Sequence, residues 1–172
     1  LVGSEMCIRD SLITSLSWLS ISIFGALPFY FSENGLNLTN SVFESMSGIT
    51  TTGSSVIQNV ESLTGGILIW RGLLQWMGGI GIIVMAVSIL PVLRVGGMQV
   101  FRTESSDTTD KLLPRTTQIA SAVILIYLLL TFVCLVAYWL GGMNFFDALV
   151  HSMTTIATGG FSTQNNSFAS FN

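Results

Sequence analysis

The chain has 172 residues, of which 50% are hydrophobic and only 9% charged, with a formal net charge of −3. A soluble domain carries roughly a quarter charged residues, so this inventory cannot cover a water-facing surface. Six basic residues that form no stripe argue against nucleic acid as a partner, and two cysteines, Cys7 and Cys134, make neither a disulfide framework nor a zinc site.

Residues 1–10 carry Glu5, Arg9 and Asp10 where a secretory signal needs an apolar middle. They read as a non-native or disordered leader, outside the functional argument. A first apolar span is expected over 11–31, against the ~20 residues that a bilayer core requires. Between 32 and 66, Ser41–Thr50 suits a short helix, with Asn37, Thr39 or Asn40 available as its cap. Ten residues rise about 15 Å, half a bilayer, so this helix can enter but not cross. Thr50-Thr51-Thr52-Gly53 follows it.

A second span is expected over 67–93, about 40 Å long and able to tilt. Arg71, near its outer end, is expected to snorkel or to pair with a carboxylate such as Glu44 or Glu61. Gly78-Gly79-Ile80-Gly81 lacks both a preceding strand and the third glycine of a nucleotide loop, since position 84 is Val. These glycines read instead as small residues that let helices approach closely. Pro91, Gly96 and Gly97 end the helix. Residues 94–115 interleave Arg102, Glu104, Asp107, Asp110, Lys111 and Arg115, the pattern of a solvated linker, with a docking surface for a cytoplasmic subunit as the alternative. Asp107 or Asp110 can cap the third span, and Pro114 is tolerated only in its first turn.

The third span is expected over 119–140, with Cys134 as a small hydrophobe. After Gly141-Gly142 the pattern repeats. A short helix, Ala148–Ile156, precedes Ala157-Thr158-Gly159-Gly160-Phe161, and the solitary His151 reads as a polar residue of that helix. Gly159 lies 106 positions after Gly53. The expected class is therefore all-α integral membrane, built of repeated membrane helix–pore loop–membrane helix units. Residues 11–93 form the first unit, 94–115 a cytoplasmic linker, and 116–172 a second unit that stops after its loop.

Charge sets the expected orientation. Arg94, Arg102, Lys111 and Arg115 lie between the second and third spans, whereas 32–66 and 141–172 contain no Lys or Arg. The positive-inside rule places 94–115 in the cytoplasm and both Thr-Gly loops outside. A cation entering the membrane loses hydration, and backbone carbonyls can replace those oxygens without adding fixed charge. Aligning successive carbonyls needs dihedrals that glycine adopts cheaply. Gly53, Gly159 and Gly160 suit that role, with Thr51, Thr52 and Thr158 flanking them. The half-helices would turn their negative C-terminal ends toward the pathway. The competing reading is a tight turn that only packs helices. No nucleophile–base pair supports an enzyme.

The residues Phe24-Gly25-Ala26-Leu27-Pro28-Phe29 and Phe43 through Gly53 resemble the first repeat of Trk-type potassium-uptake proteins, the TrkH branch of the Trk/Ktr/HKT superfamily. Trp70-Arg71, Leu74 through Gly81 and Val95-Gly96-Gly97-Met98-Gln99 continue the match. Ala157 through Thr163 is similar to the family's second filter. The resemblance covers about residues 10–170 and implies four repeats around one pore, with potassium as transported substrate and no cofactor. It implies Thr51, Thr52 and Gly53 in the first filter segment and Ala157, Thr158, Gly159 and Gly160 in the second. It further implies an inner-membrane homodimer served by a cytoplasmic nucleotide-binding regulatory subunit. Glycine at the filter position goes with potassium in this superfamily, serine in the first repeat with sodium. A sodium-permeable member and a non-conducting scaffold are the alternatives.

Overall fold

The computed structural model describes residues 2–32, 35–89 and 112–171, and every regular element among them is helical. Helix α1 (Val2–Gly25) runs without interruption through residues 2–10, which the sequence set apart as a leader. Three of its serines are satisfied within the helix: the Ser15, Ser17 and Ser22 hydroxyls donate to the carbonyls of Ser11, Ile13 and Trp18. A hydroxyl bonded back to the preceding turn can sit in an apolar span.

The first apolar span is not one straight helix. It breaks at Ala26, and a single turn, α2 (Leu27–Tyr30), carries Pro28 at its start. Proline has no N–H to continue the α1 ladder but fits the first turn of a new helix. Next comes α3 (Leu38–Ile49), capped by Asn37, whose Oδ1 accepts from the Asn40 N–H at 2.9 Å. After a 3-10 turn at Val60–Ser62 come α4 (Gly65–Ile89), α5 (Leu112–Leu140) and α6 (Phe145–Ile156), and a second 3-10 turn lies at Ser167–Ser170. Pro114 falls in the first turn of α5. The expected helix break at Pro91, Gly96 and Gly97, and the caps at Asp107 or Asp110, lie outside the described residues.

Among the described residues, three segments are long and apolar enough to cross a membrane: Ser11–Tyr30, Gly65–Met85 and Ala120–Leu140. The two short helices have 12 residues each, about 18 Å, and enter without crossing. Helix α4 is the strut of the assembly. It packs against α2, α3, α5 and α6, and 44% of its apolar stretch is buried, against 11% for α5. Phe29, Ile49 and Leu74 form a buried cluster, flanked by Trp18, Met46 and Trp70.

The glycines of α4 set the spacing. A Cβ on Gly78 would run into the Ile49 carbonyl oxygen at the end of α3. A Cβ on Gly79 would lie 3.2 Å from the Ala157 Cα at the end of α6 and 2.6 Å from the Tyr127 hydroxyl. This adjacent pair lets both short helices bring their C-terminal ends against the middle of one transmembrane helix, which is the close approach expected of small residues.

Candidate functional site

The two half-units are built on one plan, displaced by 107 residues. Asn37 and Asn144 are the caps, and α3 and α6 begin and end in matching places. Beyond each helix the same three hydrogen bonds close the turn. Thr50, Thr51 and Thr52 donate their N–H groups to Met46, Gly48 and Ser47 at 2.9, 3.0 and 3.0 Å. Ala157, Thr158 and Gly159 donate to Met153, Thr155 and Thr154 at 3.1, 2.9 and 2.8 Å. Thr51 and Thr158 have φ of 56° and 55°, and Gly53 and Gly160 have φ of 78° and 81°. A β-branched residue at positive φ is a strained outlier, and here it occurs twice at one place in the plan.

The repeat is therefore one residue longer than the Gly53-to-Gly159 spacing of 106. Gly53 corresponds to Gly160, and Gly159 corresponds to Thr52. The paired glycines of the second loop hid this, because only the left-handed backbone reveals which of them answers to Gly53.

The two loops also touch. A Cβ on Gly53 would collide with the Gly159 carbonyl oxygen and lie 3.7 Å from the Gly160 Cα. Gly159 itself is pinned from α4: Gln75 Nε2 donates to its carbonyl at 2.9 Å, and the Phe161 N–H donates to Gln75 Oε1 at 3.2 Å. The Gly159 oxygen, expected to face the ion path, accepts from a protein donor. The Ala157 carbonyl accepts from the Thr158 hydroxyl at 2.7 Å, and Ala157 is buried. The Thr52 hydroxyl pairs with that of Thr50 at 2.9 Å. Among the described residues, no hydrogen bond reaches the carbonyls of Thr51, Thr52, Gly53, Thr158 or Gly160.

Behind the loops lies a buried ionic cluster. Arg71 donates through Nε to Glu44 Oε1 at 2.9 Å, its Nη2 lies 2.9 Å from the same oxygen and donates to Ser55 Oγ at 3.2 Å, so its partner is Glu44 and not Glu61, and it does not snorkel. Glu44 also accepts from the Ser55 hydroxyl and the Val56 N–H. Arg71 Nη1 reaches the Ser162 carbonyl at 3.3 Å, and its guanidinium lies 4.1 Å over the Phe161 ring. With Glu44 at 0% exposure and Arg71 at 2%, the pair is removed from solvent, and its many hydrogen bonds make that burial tolerable. One ion pair thus grips both loops.

Where the first half has Glu44, the second has His151, buried and bonded through Nε2 to Ser162 Oγ at 3.0 Å, as Glu44 is to Ser55. Its Nδ1 lies 2.8 Å from the Asp147 carbonyl, and Phe168 and Phe171 pack on its ring. His151 is a structural residue of the second short helix. Among the described residues no three His, Cys, Asp or Glu side chains gather to hold a metal.

A cavity of about 200 Å³ opens beside the loops, lined in part by Gly53, Ser55, Arg71, Gly160, Ser162 and Asn165. Asn165 ties the segments after the loops together, accepting from the Val60 N–H at 2.8 Å and donating to Asn59 Oδ1 at 3.1 Å. Glu61, free of Arg71, accepts from the Asn165 N–H at 3.1 Å. Sequence reasoning missed Gln75 as a site residue. Its signal was an amide within an apolar run, which has to find partners inside the protein.

Solved and curated proteins resemble this chain. The solved crystal structure of the potassium transporter TrkH from Vibrio parahaemolyticus matches with a TM-score of 0.76 at 46% identity, covering 90% of this chain and 30% of that one. The Trk system potassium uptake protein TrkI of Halomonas elongata is 53% identical over 92% of this chain, and TrkH of Escherichia coli K12 is 49% identical over 93%. The chain spans about a third of the length of these relatives, 32% and 34% respectively. Residues 6–172 match the TrkH family of cation transport proteins, and to that family the chain belongs.

Proposed function

We propose that this chain supplies the first repeat and most of the second in a membrane protein that takes up potassium through a filter of backbone carbonyls. The observation that carries the reading is the duplicated turn. Thr51–Gly53 and Thr158–Gly160 share one backbone trace, abut one another, and leave five carbonyl oxygens without a donor among the described residues. Such oxygens replace the hydration shell of a cation without fixing a charge, so the ion both binds and leaves. Helices α3 and α6 end beside these loops, and the partial negative charge of a helix C-terminus favours a cation there. Glycine at Gly53 and at Gly160 supports potassium as the ion.

In this reading the Gly159 carbonyl braces the filter and does not line it. A monovalent cation moving inward gains about 2.3 kcal/mol per 100 mV of membrane potential, so uptake needs no bond-breaking step. The charge distribution supports loops facing outside and residues 94–115 facing the cytoplasm, in a bacterial inner membrane. The family resemblance supports two further repeat units, a homodimer and a cytoplasmic nucleotide-binding regulatory subunit.

The test is Gly53→Ser in a full-length Trk protein carrying these residues, with potassium and sodium uptake measured side by side. A fall of about tenfold in the potassium-to-sodium ratio, about 1.4 kcal/mol of discrimination, is expected. An unchanged ratio overturns the filter reading. Failure of the inserted parent protein to restore growth of a potassium-uptake-deficient bacterium at low potassium favours a scaffold.

A further inference from the structure

We propose that Gln75 is a positioning residue for ion selectivity: its side-chain amide fixes both peptide planes flanking Gly160 and so aims the Gly160 carbonyl at the ion. The inference rests on the filter reading above and assigns a role to a residue outside the filter itself. Gln75 is fully buried in α4, and both ends of its amide are used. Nε2 holds the carbonyl of the Gly159–Gly160 peptide, and Oε1 holds the N–H of the Gly160–Phe161 peptide. In a trans peptide the N–H and C=O point in opposite directions. With the Phe161 N–H turned toward α4, the Gly160 carbonyl must point away from it, on the side where no protein donor meets it.

Glycine at φ 81° has little steric preference of its own, so this peptide would flip readily without a restraint. Gln75 supplies that restraint. The first loop has no equivalent: among the described residues nothing bonds the Thr52 carbonyl or the Ser54 N–H, the groups in matching places. There the Ser47 hydroxyl donates instead to the Ser54 carbonyl at 2.5 Å. Selectivity at the second filter segment is therefore set in part by a helix of the first repeat.

The experiment compares Gln75→Leu, Gln75→Glu and Gly160→Ser in a full-length Trk protein carrying these residues, reading the potassium-to-sodium uptake ratio at measured membrane abundance. Leucine removes both bonds; glutamate keeps the acceptor for Phe161 and sets an oxygen against the Gly159 carbonyl. The expected result is a ratio lowered about tenfold in Gln75→Leu, about threefold in Gln75→Glu, and at least tenfold in Gly160→Ser, the scale of one or two lost buried hydrogen bonds. Lower uptake with an unchanged ratio in the Gln75 variants, while Gly160→Ser loses selectivity, overturns the role of Gln75 and leaves the filter reading standing. An unchanged ratio in Gly160→Ser overturns both. Should Gln75→Leu fail to reach the membrane, Gln75→Glu, of nearly the same shape as the parent, decides by its ratio.

Discussion

Thr51–Gly53 and Thr158–Gly160 follow one backbone trace, yet different groups hold them. The first loop is braced by its own half-helix: Ser47 bonds the Ser54 carbonyl, and Glu44 collects Ser55 and Val56. The second is also held by its neighbour, because Gln75 reaches it from α4 while His151 replaces the glutamate. The duplicated plan thus preserves the turn and lets the supports diverge. Backbone geometry is the repeated quantity, and side-chain anchorage is not.

The largest way to break this comparison is Arg71, a side chain that grips both loops. Arg71→Leu leaves Glu44 charged and unpaired in a buried place, a loss of about 3–5 kcal/mol. Membrane abundance and the thermal midpoint in detergent should both fall steeply. The double variant Glu44→Gln/Arg71→Met should recover much of that loss, since neither charge remains. A double variant as damaged as the single one would mean that the pair acts by more than mutual neutralisation.

Next come the left-handed glycines of the two Thr-Gly loops, Gly53 and Gly160. Gly53→Ala adds a Cβ against the Gly159 oxygen as well as the cost of positive φ, whereas a Cβ on Gly160 meets nothing within 4 Å. Gly160→Ala should cost about 1 kcal/mol in folding and Gly53→Ala about 2–4, read as thermal midpoints. Equal losses would show that the loops do not touch.

The α4 notch separates the halves more gently. Gly78→Ala presses on the Ile49 backbone, and Gly79→Ala presses first on the Tyr127 hydroxyl, which can swing aside. Gly78→Ala should lose about 1–3 kcal/mol and Gly79→Ala clearly less. Smallest is Asn165→Ala, which cuts the tie between the segments after the loops and should cost about 1 kcal/mol or less, with selectivity unchanged.

Much of the site was legible from local signals. A cap among Asn37, Thr39 and Asn40, the two short helices, the Thr-Gly turns and a carboxylate partner as one of two fates for Arg71 all follow from spacing, length and the cost of an unpaired charge in an apolar run. The short helices begin three residues earlier than their apolar pattern suggests, because Leu38-Thr39-Asn40 and Phe145-Phe146-Asp147 form their first turns. What stayed hidden depends on contact between distant residues. The register of 107, the Gly53–Gly159 contact and the Gln75 amide join positions that no periodicity links. The break at Ala26 needed only attention to Pro28, since a proline that deep in an apolar run stops a helix ladder.

The adjacent glycines of α4 have a practical consequence. Because Gly78 receives one short helix and Gly79 the other, the depth of each turn in the bilayer is fixed by the same few ångströms of backbone. A chimera that exchanges one unit for that of a distant homologue must therefore bring α4 and both turns together. Cutting between the units, where the linker invites the scissors, would separate a lock from half of its key.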